Sequence, residues 1–307
     1  MADSPQLSCI VVNWNTRDLL AACLQSIRQT VTDIPHEIWV VDNASTDGSQ
    51  DMVRQRFPEV RLITNTANRG FAAANNQALS QMNGRYALLL NSDATLTESA
   101  ARILLHFMDK TPEAGMACGQ LLNPDGSRQN SIANFPSMIS LLTNESLLQL
   151  LMPGTFPNKR VDYRHPIEIQ SGIGACLIVR KEAMDLVGLL DEAYFFFFEE
   201  TDWAKRMWVH GWKVFFVPDA RIFHAQGKSV GPRADGRILF YRSRYQYLRK
   251  WHPCARYPMG VAIIIRLIAN LTFTGLGAVL TAGLVESLRK RANVYGAILW
   301  WHLKGCP

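Results

Sequence analysis

At 307 residues, 48% hydrophobic and 19% charged, with no low-complexity tract or internal repeat, the chain is globular, with a sizeable core and room for about two domains. The net charge of +6 is uneven: residues 1–225 carry 19 Lys/Arg and 24 Asp/Glu, whereas residues 226–307 carry 13 and 2, so the basic balance belongs to the C-terminal quarter. Six cysteines without paired spacing suit reduced thiols in a cytosolic compartment and argue against a disulfide framework or a zinc site.

The opening MADSPQ has neither a basic nor an apolar leader segment, so no signal peptide is expected. LSCIVV (7–12) is a short strand ending at Asn13, and the apolar spacing Leu19, Leu20, Cys23, Leu24, Ile27 predicts a helix over 16–30. EIWVV (37–41) is a second strand, followed by DNASTDGS, where Ser45 or Thr46 is placed to cap the next helix. RLIT (61–64) is a third strand, 71–82 a small-residue helix, YALLL (86–90) a fourth strand and 98–110 a helix; a fifth strand is expected near 115–122. Strands alternating with helices imply a mostly parallel sheet covered on both faces, an α/β fold.

Residues 123–168, rich in Pro, Asn and Ser, break the alternation, with one apolar helix expected around 138–151. IEIQSGIGACLIVR (167–180) reads as a strand whose glycines 172 and 174 mark a bulge or a close ligand approach. A helix near 181–187 leads to YFFFFEETDW (194–203), an apolar run that ends in adjacent carboxylates. Taken as extended, it turns Phe195 and Phe197 to one side and Phe196 and Phe198 to the other. Residues 201–210 read as a helix with Trp203, Ala204, Met207 and Trp208 on one face, Asp202 four residues before Arg206, and Gly211 at its end. WKVFFV (212–217) is a strand stopped by Pro218.

From Arg237 to Lys250 aromatic residues mix with basic ones, and Leu267–Val285 is then free of charge, near the length that spans a bilayer. Arg249, Lys250 and Arg256 precede it, Arg289, Lys290 and Arg291 follow it, and the Trp pair of AILWWHLKG suits a membrane interface. Membrane association is expected, through a span or through interfacial helices, and a long uncharged run suits lipid better than nucleic acid.

Ligands of open α/β sheets sit beyond the carboxyl ends of the strands. Here Asn13-Trp14-Asn15, Asp42-Asn43, Asn65 to Gly70 and Asn91-Ser92-Asp93 are all polar strand ends. Singly each is explained by turn and cap chemistry, but four in succession point to a binding rim. Asp42 fits the ribose-binding acid of a dinucleotide fold, yet NWNTRD after the first strand holds no glycine-rich phosphate loop, so NAD is not expected. Asp93 could hold a hard divalent cation that bridges to a diphosphate.

In order and spacing, IVVNWN, VVDNASTDGS, NRGFAAANN, LLLNSDA, GACLIVRKEA, FFEETDWAKR and IFHAQGKS resemble family 2 inverting glycosyltransferases, most closely the rhamnosyltransferase-like branch of bacterial surface polysaccharide synthesis. The resemblance covers roughly residues 7–245 and implies a GT-A fold, with a nucleotide-sugar half (1–122), an acceptor half (123–250) and membrane-associating helices (251–307). It places Val12, Asn13 and Asn15 at the nucleobase, Asp42 on the pyrimidine ring, Asn68 and Gly70 near the nucleotide, and Asn91-Ser92-Asp93 at the Asp-X-Asp position. Asp93 would hold Mg²⁺ or Mn²⁺, His224 would join that metal or the diphosphate, and Asn91 replaces the first acid of that motif. Gly174, Glu199, Asp202 and Trp203 fall on the acceptor side and its loop. Glu200 takes the catalytic-base position, where burial after the phenylalanines would raise its pKa towards neutrality.

The expected activity is transfer of a sugar, best matched by rhamnose from dTDP-rhamnose, to a lipid-linked saccharide at the cytoplasmic face of the membrane. The alternatives are a UDP-sugar donor (galactofuranose or N-acetylglucosamine) and a non-catalytic, membrane-anchored nucleotide-sugar-binding protein.

Overall fold

The protein is described here by a computed structural model, which covers residues 5–143, 145–157, 161–225, 233–281 and 284–305; the last four residues of IFHAQGKS lie outside them. In chain order the elements are β1 (Leu7–Asn13), α1 (Arg17–Thr30), β2 (His36–Asp42), α2 (Ser49–Arg56), β3 (Arg61–Thr64), α3 (Phe71–Leu79), β4 (Tyr86–Asn91), β5 (Ala94–Leu96), α4 (Ala100–Lys110) and β6 (Ala114–Leu122). After them come β7 (Ile132–Ala133), α5 (Met138–Leu142), α6 (Glu145–Leu151), β8 (Ile167–Ile169), β9 (Ser171–Gly172), β10 (Cys176–Arg180), α7 (Lys181–Val187), α8 (Glu199–Val209) and β11 (Lys213–His224). Three long helices close the chain: α9 (Arg233–Trp251), α10 (Arg256–Leu280) and α11 (Glu286–Leu303).

These elements form two compact units, the first comprising residues 1–135, 152–195 and 199–229 and the second residues 136–151, 196–198 and 230–307. The first is built on a sheet of order β3-β2-β1-β4-β10-β6-β11-β5, with β8 on β11, and a small β7–β9 ribbon beside it. Strands β1 to β4 are mutually parallel, whereas β10 runs antiparallel to both β4 and β6. Alternate residues of each central strand serve opposite cores. Leu7, Cys9 and Val11 join Leu88 and Leu90 on one face, while Ile10, Val41 and Leu89 join the other. Burial on both faces is why these strands read as unbroken apolar runs. Each such aliphatic side chain contributes about 1.5–3 kcal/mol.

Several local expectations are corrected. The apolar stretch 138–151 is two short helices rather than one, and 167–180 is three short strands rather than one. Gly172 sits so close to Cys118 that a Cβ would lie 2.7 Å from its sulfur, so the close neighbour here is a protein side chain rather than the ligand its position suggested. Pro218 does not stop the last strand: β11 continues to His224 through a register shift between Val217 and Arg221, and this bulge absorbs the missing N–H. Ser45 and Thr46 do not cap α2, whose first turn is served by Asp47, accepting from the Ser49 amide at 3.1 Å. Trp208 is half exposed beside Phe135, off the buried face formed by Trp203, Ala204 and Met207.

The last correction concerns the phenylalanines. Phe197 and Phe198 both have φ of 70°, so the run is bent and alternation of sides does not apply. Phe195 belongs to the first unit, where its carbonyl accepts from Phe71 N at 2.7 Å. Phe196–Phe198 belong to the second, where Phe197 and Phe198 ring-stack on Phe240, Phe198 reaches Tyr247, and Ser243 Oγ holds the Phe196 carbonyl at 2.7 Å.

Candidate active site

The four polar strand ends come together on one edge of the parallel sheet, as expected. Asn13 pairs with Asp42 and Val12 with Asn91 across the ladders. Buried Asn13 donates to Asp42 Oδ2 at 2.9 Å and Ser45 Oγ at 3.0 Å, and accepts from Thr16 Oγ1, which in turn meets Ser92 Oγ at 2.7 Å. The carboxylate of Asp42 also accepts from Ser45 N at 2.9 Å and Gln50 Nε2 at 2.8 Å. Asn15, at φ 52°, reaches Thr46 N at 2.7 Å. Asn43 ties in the third end: it donates to Asn68 Oδ1 at 2.8 Å and Gly70 O at 3.1 Å, and accepts from Asn65 and the Arg69 amide. Gly70, at φ +83°, admits no side chain because a Cβ would lie 2.6 Å from Phe195 O. A buried Asn–Asp–Ser–Thr network of this kind holds the rim rigid before any ligand arrives.

The fourth end carries Asp93. Short strand β5, invisible to the sequence reading, pairs antiparallel with the end of β11 and sets His224 opposite Ala94. His224 Nε2 thereby stands 3.3 Å from Asp93 Oδ1, and both side chains are almost wholly buried. A residue the sequence did not single out controls this pair. Gln129 Nε2 donates to His224 O at 2.5 Å and to Asn123 Oδ1 at 2.8 Å, so its Oε1 is the acceptor 2.9 Å from His224 Nδ1. Nδ1 therefore carries the proton, and in the neutral ring Nε2 turns a lone pair towards Asp93. Among the described residues Asp93 Oδ1 has no hydrogen-bond donor. Two acceptors facing each other in a buried site fit a divalent cation between a carboxylate and an imidazole. Among the described residues no three His, Cys, Asp or Glu side chains converge, so Asp93 and His224 are the pair there that could hold such a cation. His224 and Gln129 also line a cleft of about 320 Å³ with Asn123, Arg128 and Ile173.

Glu199 and Glu200 open α8. Gly174, next to cleft-lining Ile173, lies against Glu200: a Cβ there would meet the Glu200 side chain at 3.7 Å. Burial pushes the Glu200 carboxyl above the usual range, opposed by its own backbone amide and by Thr201, whose hydroxyl donates to Oε1 at 3.0 Å. Glu199 is driven well above the usual range, first by burial and then by the charge of Glu200, and its Oε2 has no partner. Of the pair, Glu199 is raised further than Glu200. Asp202, fully buried, accepts from Arg206 Nε at 3.0 Å, and Arg206 also holds the carbonyls of Val187 and Leu189. Trp203 is fully buried and donates to Gly188 O at 2.8 Å. These two anchor the helix that presents Glu200.

The mostly parallel, helix-flanked sheet with its polar carboxyl edge is a GT-A fold. The model of glycosyl transferase family 2 matches residues 8–187, and the chain belongs to that family as a glycosyltransferase. An N-acetylglucosaminyl-diphospho-decaprenol L-rhamnosyltransferase of Mycobacterium tuberculosis is 27% identical over 266 residues, 80% of this chain and 85% of the relative. Among solved structures, a mannosyltransferase of Pyrobaculum calidifontis in complex with GDP-Man and Mn²⁺ superposes with TM-score 0.59 at 18% identity, over 98% of this chain and 87% of that one. GalNAc-T7 with UDP, GalNAc and Mn²⁺ gives 0.56 at 16%, over 81% and 51%.

Proposed function

We propose that the chain transfers a deoxysugar, rhamnose from dTDP-rhamnose, to a lipid-linked saccharide acceptor with inversion at the anomeric carbon. The half-buried Glu200 carboxylate beside Gly174 carries this reading, because its raised pKa suits a general base. The chemistry is one in-line displacement. Glu200 removes the proton of the acceptor hydroxyl, the oxygen bonds to the anomeric carbon, and the bond to the diphosphate breaks on the opposite face. Asp93 and His224 would hold Mg²⁺ or Mn²⁺, and a cation there supplies charge neutralisation for the departing diphosphate. Asn13, Asn15, Val12 and Asp42 receive the base, and Asn68, Gly70, Asn91 and Ser92 the rest of the nucleotide. Gly174 and Glu199 lie on the acceptor side, with Asp202 and Trp203 supporting them. Residues 1–122 form the donor half, 123–250 the acceptor half and 251–307 the membrane-associating part, at the cytoplasmic face. The mycobacterial rhamnosyltransferase, whose name specifies a decaprenol diphosphate acceptor, supports the donor and acceptor class.

The test is nucleotide release from a panel of dTDP- and UDP-sugars, with Mg²⁺ or Mn²⁺ and a polyprenyl-diphosphate saccharide. Release from dTDP-rhamnose alone is expected; preference for a UDP-sugar would replace the donor assignment. Glu200→Gln should retain nucleotide and lose transfer by ~10²-fold or more, and near-normal turnover would remove the base.

A further inference from the structure

Helix α10 is long and apolar enough to cross a bilayer, but the contacts it makes argue for lying on one. A Cβ at Gly277 would lie 3.1 Å from Leu288, which fixes the end of α10 beside the start of α11. At the other end, Gly260 lies beside Tyr245 of α9, whose hydroxyl meets His302 Nε2 at 2.9 Å. Helices α10 and α11 are therefore an antiparallel hairpin. At 1.5 Å per residue, Arg289, Lys290 and Arg291 lie level with residues 274–276 of α10, roughly 6–9 Å back from Leu280. All three are exposed. At 1.5 Å per residue α10 is about 37 Å long, so crossing a hydrocarbon layer about 30 Å thick would sink Arg266, ten residues from its start, into the interior and draw in α5, whose carbonyls it holds. A shallow position leaves Arg266 and α5 outside the hydrocarbon and the three cations among the headgroups.

The apolar side is continuous. Val261, Ile265, Ile268, Leu276 and Val279 recur at helical spacing and are each more than half exposed, and Leu280 and Leu284 at the turn are 85% and 87% exposed. Arg266, the charge within this stretch, reaches back to the carbonyls of Ser140 and Leu141 on α5. The helix thus shows an uncharged face with a cationic cluster beside it, which complements an anionic phospholipid surface.

We infer that α10–α11 is a monotopic hairpin whose apolar face enters one leaflet of an anionic bilayer, with Arg289, Lys290 and Arg291 among the headgroups and both ends on the same side. This deepens the proposed membrane location and rests on it. The full chain is floated with phosphatidylcholine vesicles with and without phosphatidylglycerol. Leu284→Cys, in a background with Cys254 and Cys306 changed to serine, is probed with an impermeant maleimide outside the vesicles or trapped inside. Flotation that needs phosphatidylglycerol is expected, with Leu284→Cys shielded from both sides. Replacing Arg289, Lys290 and Arg291 by glutamine should weaken binding on the order of 10²-fold, at unchanged circular dichroism and nucleotide affinity. Labelling from the trapped side would establish a span and overturn the inference. So would lipid-independent dimerisation through the same face, or binding indifferent to phosphatidylglycerol and to the triple change. Transfer to a soluble acceptor in the same preparation separates the two readings: activity without flotation sinks the hairpin alone, and flotation without activity sinks the proposed reaction alone.

Discussion

Glu199 and Glu200 differ by one position and by surroundings. Burial raises the pKa of the more deeply buried Glu199 further than that of Glu200, so Glu199→Gln should leave most transfer intact where Glu200→Gln lowers it by ~10²-fold or more. The pH dependence carries a sign. Transfer needs ionised Glu200, so kcat/KM should fall as pH drops through its raised pKa, above where an ordinary glutamate titrates. For stability, a carboxyl pKa raised on folding means the native state binds more protons. Stability therefore declines as pH climbs from the unfolded to the folded value, and Glu200→Gln should be the more stable protein at pH 7 in urea titrations. Gln129 offers a second contrast. Gln129→Leu removes the acceptor for His224 Nδ1 and should weaken Mn²⁺-dependent nucleotide binding ~10–100-fold, with little change in EDTA. Gln129→Glu keeps that acceptor but loses both amide donations, so calorimetric recovery of Mn²⁺ dependence would assign the role to His224. Equal loss in both variants would mean that Gln129 merely ties two loops together.

Among the elements, capping decides more than propensity. Arg180, at the end of β10, is buried with its guanidinium on the carbonyls of Met108, Thr111 and Ala114 and on Tyr86 Oη. It therefore satisfies the last turn of α4, whose carbonyls have no partner within the helix. Arg180→Met should cost about 3 kcal/mol or more, read as a lower urea midpoint with an unchanged slope; a loss within the usual surface range would remove this role. The parallel strands β1 to β4 and helices α1, α3 and α4 were legible because period and run length are local properties. The 167–180 region, the passage through Pro218 and the bent phenylalanines were not. Whether a proline ends a strand depends on the ladder beside it, and two successive residues at φ 70° are held by rings distant in sequence.

For the molecule as a whole, the charge asymmetry matches the division of labour. The strand-end residues, the Asp93–His224 pair and Glu200 all belong to the first unit, and the basic helices to the second. Affinity for dTDP with Mn²⁺ should therefore be the same with and without anionic vesicles. A change beyond about threefold by calorimetry would show that lipid acts on the donor site. Transfer to a lipid-linked acceptor should instead fall with ionic strength, because the basic cluster's attraction to the surface is screened over about 8–10 Å.

By itself the sequence determined the layered α/β class, the polar rim, the acidic pair at 199–200 and the apolar basic tail, since each is written in contiguous residues or short periods. Tertiary structure alone decided which groups meet. Asp93 faces His224 because β5 and β11 pair across more than a hundred residues, and Gln129 orients that histidine from a loop with no motif to mark it. The tail follows the same rule: composition makes α10 long and apolar enough to cross a membrane, and only the packing shows that Arg266 holds the carbonyls of α5 and that α11 folds back along α10.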